Sequence, residues 1–282
     1  MDVKSQVVVI TGAASGIGAA LAEAFGDAGA RLALADRDHA GVEAVAQTLK
    51  ARGVEARAYP LDVSSRAAWQ ALAQTTLAEL GGARVLINNA GITFLGSFEA
   101  TPVEDFDRVL AVNLGGVVEG CRAYLPQLRE APAARIVNIS SLYGLVGVPG
   151  QTAYCASKFA VRGFSEALHE ELRGTSVGVT VVHPGGIRTN IMNQAKTGGA
   201  GAEATAMSIR DFFAKKTMRP GKAAALILQA VQRDQHRLLI TRESVLFDLA
   251  RRIAPEWGNR FAVDGMVKGM GLGSPKRLIG KG

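Results

Sequence analysis

Cysteine is scarce in this 282-residue chain: there are two, Cys121 and Cys155. Two thiols are too few for a disulfide framework, and neither stands at metal-ligand spacing, so no metal site is expected and a reducing compartment is the default. Cys155 reads as a small buried residue. Long apolar runs are missing too. None approaches the roughly 18 residues needed to cross a membrane, although 48% of the chain is hydrophobic. The opening Met1-Asp2-Val3-Lys4-Ser5-Gln6 has no basic segment followed by an apolar stretch and a cleavage site, so nothing directs export and a cytoplasmic protein is expected. Acidic residues are outnumbered, giving a net charge of +7. The cations are spread along the chain and no nucleic-acid motif accompanies them, so nucleic acid is not an expected partner. A diffuse basic surface suits an anionic small molecule instead.

What is present is an alternation. Short apolar runs, Val7-Val8-Val9-Ile10, Leu32-Ala33-Leu34-Ala35, Ala56-Arg57-Ala58-Tyr59, Val85-Leu86-Ile87, Ile136-Val137-Asn138-Ile139, Val179-Thr180-Val181-Val182 and Leu238-Leu239-Ile240, are separated by helical patterns. Continuously apolar strands with room for crossover helices predict a doubly wound α/β domain, a mostly parallel seven-stranded sheet with helices on both faces. One domain over 1–282 is expected. Thr101 reads as a helix cap before Pro102, and Ser64 or Ser65 as another. The segment 190–216, with Gly198-Gly199-Ala200-Gly201 inside it, reads as a mobile substrate lid. Residues 242–282 form a C-terminal extension, of which 265–282, rich in glycine and lysine, read as a frayed tail or an arm on a neighbouring subunit.

The first strand runs into Thr11-Gly12-Ala13-Ala14-Ser15-Gly16-Ile17-Gly18 and then a helix. That order aims unpaired N–H groups of the turn and the positive end of a helix dipole at one point, which suits a pyrophosphate. Gly12 permits the tight turn, Gly16 lets a phosphate approach, Gly18 lets helix and sheet pack closely, and Ser15 and Ile17 complete the cradle. At the end of the second strand Asp36 can accept hydrogen bonds from ribose hydroxyls and repel a 2′-phosphate, which favours NAD. Arg37 beside it can swing toward a phosphate and keeps NADP as the alternative cofactor.

Downstream, thirteen positions separate Ser141 from Tyr154, and four more reach Lys158. Tyr154 and Lys158 project from one helix face on successive turns. A tyrosine needs a shift of about 3 units, roughly 4 kcal/mol, to ionise near pH 7. Lys158 together with a positively charged oxidised nicotinamide is expected to supply it.

The order and spacing of these parts resemble the short-chain dehydrogenase/reductase family over roughly residues 5 to 241, which implies a Rossmann-like fold and nicotinamide-dependent chemistry. The resemblance selects Ser141 over Ser140 as the residue that orients the substrate oxygen, makes Tyr154 the acid/base and Lys158 its activator, and sets both beside the cofactor. It assigns Asp62, with Val63, to the adenine and Asn89-Ala90-Gly91 to the cofactor-lining turn after the fourth strand. Asn113, polar within an apolar helical stretch, is assigned to a water that relays protons from Lys158; it also reads as an amide satisfying a helix distortion. In His183-Pro184-Gly185-Gly186-Ile187-Arg188-Thr189 the backbone at Ile187 and the Thr189 hydroxyl hold the carboxamide by the same likeness, with Pro184 and Gly185 shaping the turn. His183 reads as structural. The helices around Phe106-Leu110-Leu114 and Phe164-Leu168-Leu172 read as core packing, and the resemblance makes them a dimer interface, so a homodimer or homotetramer is expected.

By position, Phe94, Leu95, Leu142, Leu145, Val146, Met192 and Phe212 surround the reaction centre, and an apolar pocket favours a small hydrophobic secondary alcohol or ketone. Val245, Leu246, Leu249 and Ile253 make an apolar helix face expected to pack on the core or a partner subunit rather than on a membrane. The expected activity is hydride transfer between NAD and such an alcohol. Two alternatives stay open: an NADP-dependent ketone reductase, and a nucleotide-binding regulator with negligible turnover.

Overall fold

A computed structural model describes residues 1–199, 202–270 and 274–275. β1 (Val7–Thr11), α1 (Gly16–Asp27), β2 (Arg31–Asp36), α2 (His39–Lys50), β3 (Ala56–Pro60), α3 (Arg66–Leu80) and β4 (Ala83–Asn88) alternate strictly. There follow β5 (Phe94–Gly96), α4 (Val103–Leu110), a π-helical turn over Ala111–Gly115, α5 (Gly116–Arg129), β6 (Ala134–Ile139), a 3-10 turn over Leu142–Gly144, α6 (Thr152–Glu171) and β7 (Val177–Pro184). β8 (Lys196–Gly198), α7 (Ala202–Lys216), α8 (Pro220–Gln232), β9 (Arg237–Ile240), α9 (Arg242–Ile253) and α10 (Pro255–Gly269) come last.

All seven expected strands are present and parallel, in the order β3-β2-β1-β4-β6-β7-β9. Successive strand residues point to opposite faces, so Val8 and Ile10 join Leu21 and Phe25 of α1 and Ile227 of α8 in one core, while Val7 and Val9 join Trp69 of α3, Tyr124 of α5 and Val161 of α6 in the other. Both faces are thereby covered, which is why these strands carry almost no alternation. The strand order reverses between β1 and β4, and in such sheets ligands bind outside the carboxyl ends at that reversal. A third apolar cluster, which includes Leu142, Met192, Phe247 and Val263, lies beyond the sheet edge and ties the last helices to it.

Several local expectations are corrected. α4 begins at Val103 with Pro102 as its cap residue, and the Thr101 hydroxyl donates to Ser97 O instead of capping. Of the two serines offered for α3, Ser65 is the cap, accepting from Ala68 N at 3.3 Å, because Ser64 donates to Asp62. The pairing of β5 with β8 was not anticipated, since three-residue strands carry no usable periodicity. Residues 265–269 are not a frayed tail: they finish α10, whose Ala262, Val263 and Val267 are buried. Ala200, Gly201, 271–273 and 276–282 lie outside the described residues. The face of α9 formed by Val245, Leu246, Leu249 and Ile253 does not pack on the core; its residues are 50% to 76% exposed, because the helix turns Ser244, Phe247 and Asp248 inward. Among the described residues no helix is long and apolar enough to cross a membrane, and no group of side chains is arranged to hold a metal ion.

Candidate active site

One cleft of about 1370 Å³ lies over the carboxyl ends of the strands, lined by Gly12, Ser15, Gly16, Ile17, Asp36, Arg37, Asp62, Val63, Asn89, Ala90, Gly91, Ser141, Tyr154, Lys158, Pro184, Gly185, Ile187 and Thr189. Of the residues singled out in the sequence for the site, Gly18 and Asn113 stand just behind its wall.

The glycine-rich turn is built as its spacing demands. Gly12 has a φ of +67°, a left-handed conformation that favours glycine. A Cβ on Gly18 would lie 2.0 Å from Gly12 O, so α1 can approach the turn only with glycine there. Ser15, the cap residue of α1, makes no side-chain capping bond, and the first helical turn carries no acid. Its N–H groups and the positive end of the dipole therefore face the cleft unscreened, an arrangement suited to a dinucleotide pyrophosphate. A clamp fixes the turn to the end of β4: Asn89 N–H and Ala90 N–H both donate to Thr11 Oγ1, and Asn89 Nδ2 donates to Thr11 O at 2.9 Å. This use of Thr11 was not read from the sequence, because it depends on the pairing of β1 with β4.

Asp36 ends β2 at the rim. Its Oδ2 accepts from Ala14 N at 3.0 Å and its Oδ1 from Asp38 N at 2.9 Å, so the carboxylate is held by backbone N–H groups, with no ion-pair partner among the described residues. Asp62 accepts from the Ser64 hydroxyl and N–H, and those bonds, with Arg37 and Arg108 nearby, hold its carboxyl below the usual range.

At the other end, β6 delivers Ser140 and Ser141 to opposite sides. Ser140 Oγ donates to Lys158 O at 2.8 Å and is spent in the fold. The Ser141 hydroxyl accepts from Tyr143 N at 3.1 Å and hydrogen-bonds the Tyr154 phenol. Lys158 Nζ donates to Ile139 O at 2.9 Å and lies 5.7 Å from the Tyr154 ring centroid. Burial pushes the Tyr154 phenol up to about 12, with the Ser141 bond pulling the other way, and pushes Lys158 down to about 8. The protein's own field thus keeps Tyr154 a phenol, ready to donate a proton. The second cation expected to bring the phenol toward neutrality, the oxidised nicotinamide, adds its charge to that of Lys158 only when the dinucleotide is bound.

Asn113 sits in the π-helical turn, fully buried, with Oδ1 accepting from Ile92 N at 2.8 Å and Nδ2 donating to Ile92 O and Ser157 Oγ, each at 3.0 Å. The amide thus ties the π-helical turn to the loop after β4 and to α6, and its partners are not the backbone groups of the turn itself. Gly91 keeps open a point 3.2 Å from Asn113 Oδ1 and 3.4 Å from Lys158 Nζ. Cys155 is buried and its thiol is pushed up to about 11 by desolvation, as expected of an inert residue.

His183, fully buried on β7, places Nδ1 3.1 Å from Ser141 O, and burial pushes its imidazole down to about 4. The ring is a structural support for the Ser141 strand end. Because the unfolded chain takes up the proton first, near pH 6.5, the stability His183 contributes is complete above that value and is lost as pH falls toward 4. Urea unfolding at pH 7.0 and 4.5 should show a drop about 2 to 3 kcal/mol smaller in His183→Asn than in wild type. Equal drops would mean the imidazole is not held neutral.

Of the apolar residues expected around the reaction centre, Leu142, Met192 and Phe212 line the cleft, whereas Leu95, Leu145 and Val146 belong to the cluster behind it and Phe94 to a small core with Val109 and Ala153. Sequence reasoning missed Thr93 and Gln151, and it missed the far wall: Val245, Phe247, Gly265, Met266, Gly269 and Met270 of α9 and α10 and the residue that follows. The spacing of Met266 from Met270 and Gly265 from Gly269, four in each case, was the available signal.

Residues 6–199 match the short chain dehydrogenase family. The chain is 38% identical over 269 residues to a Mycobacterium tuberculosis protein named SadH, covering 94% of this chain and 96% of that one. It is 38% identical to a D-threitol dehydrogenase of Mycolicibacterium smegmatis, over 70% of this chain and 75% of the relative, and 39% identical to a cyclopentanol dehydrogenase of Comamonas, over 68% and 77%. A short-chain dehydrogenase/reductase from Burkholderia phymatum, solved with NAD, superposes with a TM-score of 0.86 at 30% identity, covering 91% of this chain and 96% of that chain. A metagenomic short-chain oxidoreductase, solved with NADP, gives 0.70 at 33%, covering 85% and 98%. The chain belongs to the short-chain dehydrogenase/reductase family of NAD(P)-dependent oxidoreductases.

Proposed function

We propose that this protein transfers a hydride between NAD and a hydrophobic secondary alcohol or its ketone. The observation that carries the reading is the convergence of Ser141, Tyr154 and Lys158 in one cleft with an uncapped helix start and a backbone-held carboxylate. The nicotinamide dinucleotide, when bound, supplies the hydride acceptor or donor. The turn from Gly12 to Gly18 would hold its pyrophosphate, Asp36 its ribose, Asp62 and Val63 its adenine, and Asn89 to Gly91 with Pro184, Gly185, Ile187 and Thr189 the nicotinamide end. Ser141 holds the substrate oxygen against Tyr154 Oη. In reduction Tyr154 donates its proton to that oxygen; in oxidation it takes the proton back. Lys158 supports the phenolate through its charge, and the opening above Gly91 supports a water between Lys158 and Asn113 that returns the proton to solvent.

The whole chain, 1–282, works as one catalytic domain. Residues 190–216 act as a lid whose Met192 and Phe212 face the substrate, and the extension from 242 closes the far wall. The lining contributed by Leu142, Ile191, Met192, Phe212, Phe247 and Met266 favours an apolar substrate body. A homodimer or homotetramer uses the outer faces of α4 and α6, where Phe106, Leu110 and Phe164 are half-buried in the single chain. An intact acid/base set argues against a regulator without turnover. An NADP-dependent ketone reductase is the second reading, because Arg37 lines the same rim as Asp36.

Asp36 separates the two. With its carboxylate fixed by Ala14 and Asp38, NADH should bind more tightly than NADPH, and Asp36→Ala should shrink that preference at least tenfold, the weight of about one charged hydrogen bond. Titration by nicotinamide fluorescence reads both constants. NADPH binding as tight as NADH, with a ratio unmoved by the substitution, gives the site to NADP.

A further inference from the structure

Three residues before Tyr154, Gln151 precedes the first turn of α6. It lines the cleft, yet it is 5% exposed. Its neighbour Thr93, 7% exposed, donates its hydroxyl to Gln151 Oε1 at 2.7 Å, which anchors one end of the amide. The other end is Nε2, buried and without a hydrogen-bond partner among the described residues. Buried side-chain polar atoms nearly always have a partner, and one that lacks it in the wall of a ligand cleft is placed to take one from the ligand. An apolar residue at this position would fill the wall without leaving that amide unpaired.

We propose that Gln151 is a specificity-determining residue that donates a hydrogen bond to a second oxygen of the substrate, next to or one carbon removed from the reacting carbinol. The inference rests on the oxidoreductase reading, which puts the reacting oxygen at Ser141 and Tyr154. It names the substrate class more closely: a diol, hydroxy ketone or similarly oxygenated secondary alcohol on an apolar body, with the apolar part against Met192, Phe212 and Met266. Thr93 is the positioning residue, because its bond to Oε1 fixes the plane of the amide. A hydroxyl oxygen satisfies Nε2 as well as a carbonyl oxygen does, so both kinds of second group belong to the class.

Matched pairs test it: cyclopentanol against cyclopentane-1,2-diol, and cyclohexanol against cyclohexane-1,2-diol. For each pair the ratio of kcat/KM values is taken within one protein, so that any general loss of folding or activity cancels. Wild type should favour the diol by about tenfold to a hundredfold, since a site built to hydrogen-bond a substrate group discriminates against the analogue lacking it. Gln151→Met should bring the ratio to about one. Gln151→Glu, which keeps an acceptor for Thr93 and removes the N–H donor, should also collapse it. A wild-type ratio near or below one, or a ratio that both substitutions leave in place, overturns the assignment while turnover itself sustains the oxidoreductase reading. No turnover of either member of any pair, with NAD or NADP, removes that reading and the assignment with it.

Discussion

Tyr154→Phe should reduce turnover about a thousandfold, roughly 4 kcal/mol of barrier, while leaving the fold and NADH affinity essentially unchanged. The asymmetry follows from the geometry. Among the described residues Tyr154 is the acid that hydrogen-bonds Ser141, with Lys158 Nζ 5.7 Å from its ring centroid, so no neighbouring acid inherits its task. Tyr143 contacts the Tyr154 ring edge-to-face with centroids 5.9 Å apart, but desolvation pushes its phenol up further than that of Tyr154, so it is no substitute. The structural loss is one neutral hydrogen bond, about 1 kcal/mol. Steady-state kinetics in both directions, with NADH binding measured in parallel, checks this. Retention of more than a tenth of wild-type kcat would place the proton transfer elsewhere.

The second large effect belongs to Gly18. A Cβ there would overlap Gly12 O at 2.0 Å and press on Asn89 Nδ2 at 2.8 Å, and the first of these is backbone with no room to withdraw. Gly18→Ala should therefore force α1 away from the turn, destabilising the protein by about 3 kcal/mol. NADH affinity should fall with it, because the same displacement moves the helix N-terminus off the point at which the cradle aims. A paired comparison of Gly18→Ala with Gly163→Ala, where a Cβ meets nothing within 4 Å, isolates close approach from loss of glycine. Equal NADH binding in the two variants would mean that the α1 terminus does not hold the dinucleotide.

These two residues also mark what the sequence makes legible. Gly18 was readable because a strand, a turn and a helix in succession leave little freedom at their junction, and Tyr154 with Lys158 because a spacing of four has one meaning on a helix. The seven strands were readable as continuous apolar runs, since both faces of the sheet are covered. What was hidden depends on contacts between distant segments. The π-helical turn that buries Asn113 has the same apolar pattern as an ordinary helix. Thr11 becomes a clamp only when β4 lies beside β1, and Gln151 acquires its significance from Thr93, 58 residues away. The end of α10, from residue 265, looked frayed because the sequence from there on is rich in glycine and lysine, and glycine disfavours helix. It is held instead by packing: Val263 and Val267 join Phe247, and Gly258 admits the backbone of Ala250. The depth of burial around Tyr154 and Lys158 was hidden in the same way, since a sequence shows a neighbouring cation but not how far it is desolvated.

Hydride transfer in this cleft between a nicotinamide dinucleotide and a secondary alcohol leaves an isotopic trace. Secondary alcohols deuterated at the carbinol carbon, incubated with the purified protein and NAD, should pass their label to the cofactor, and the mass of the reduced dinucleotide should rise by one deuterium in wild type and not in Tyr154→Phe. Tight NADH binding with no label transferred from any alcohol of the panel, to NAD or to NADP, would mean that the cleft holds the dinucleotide without passing hydride to or from an alcohol.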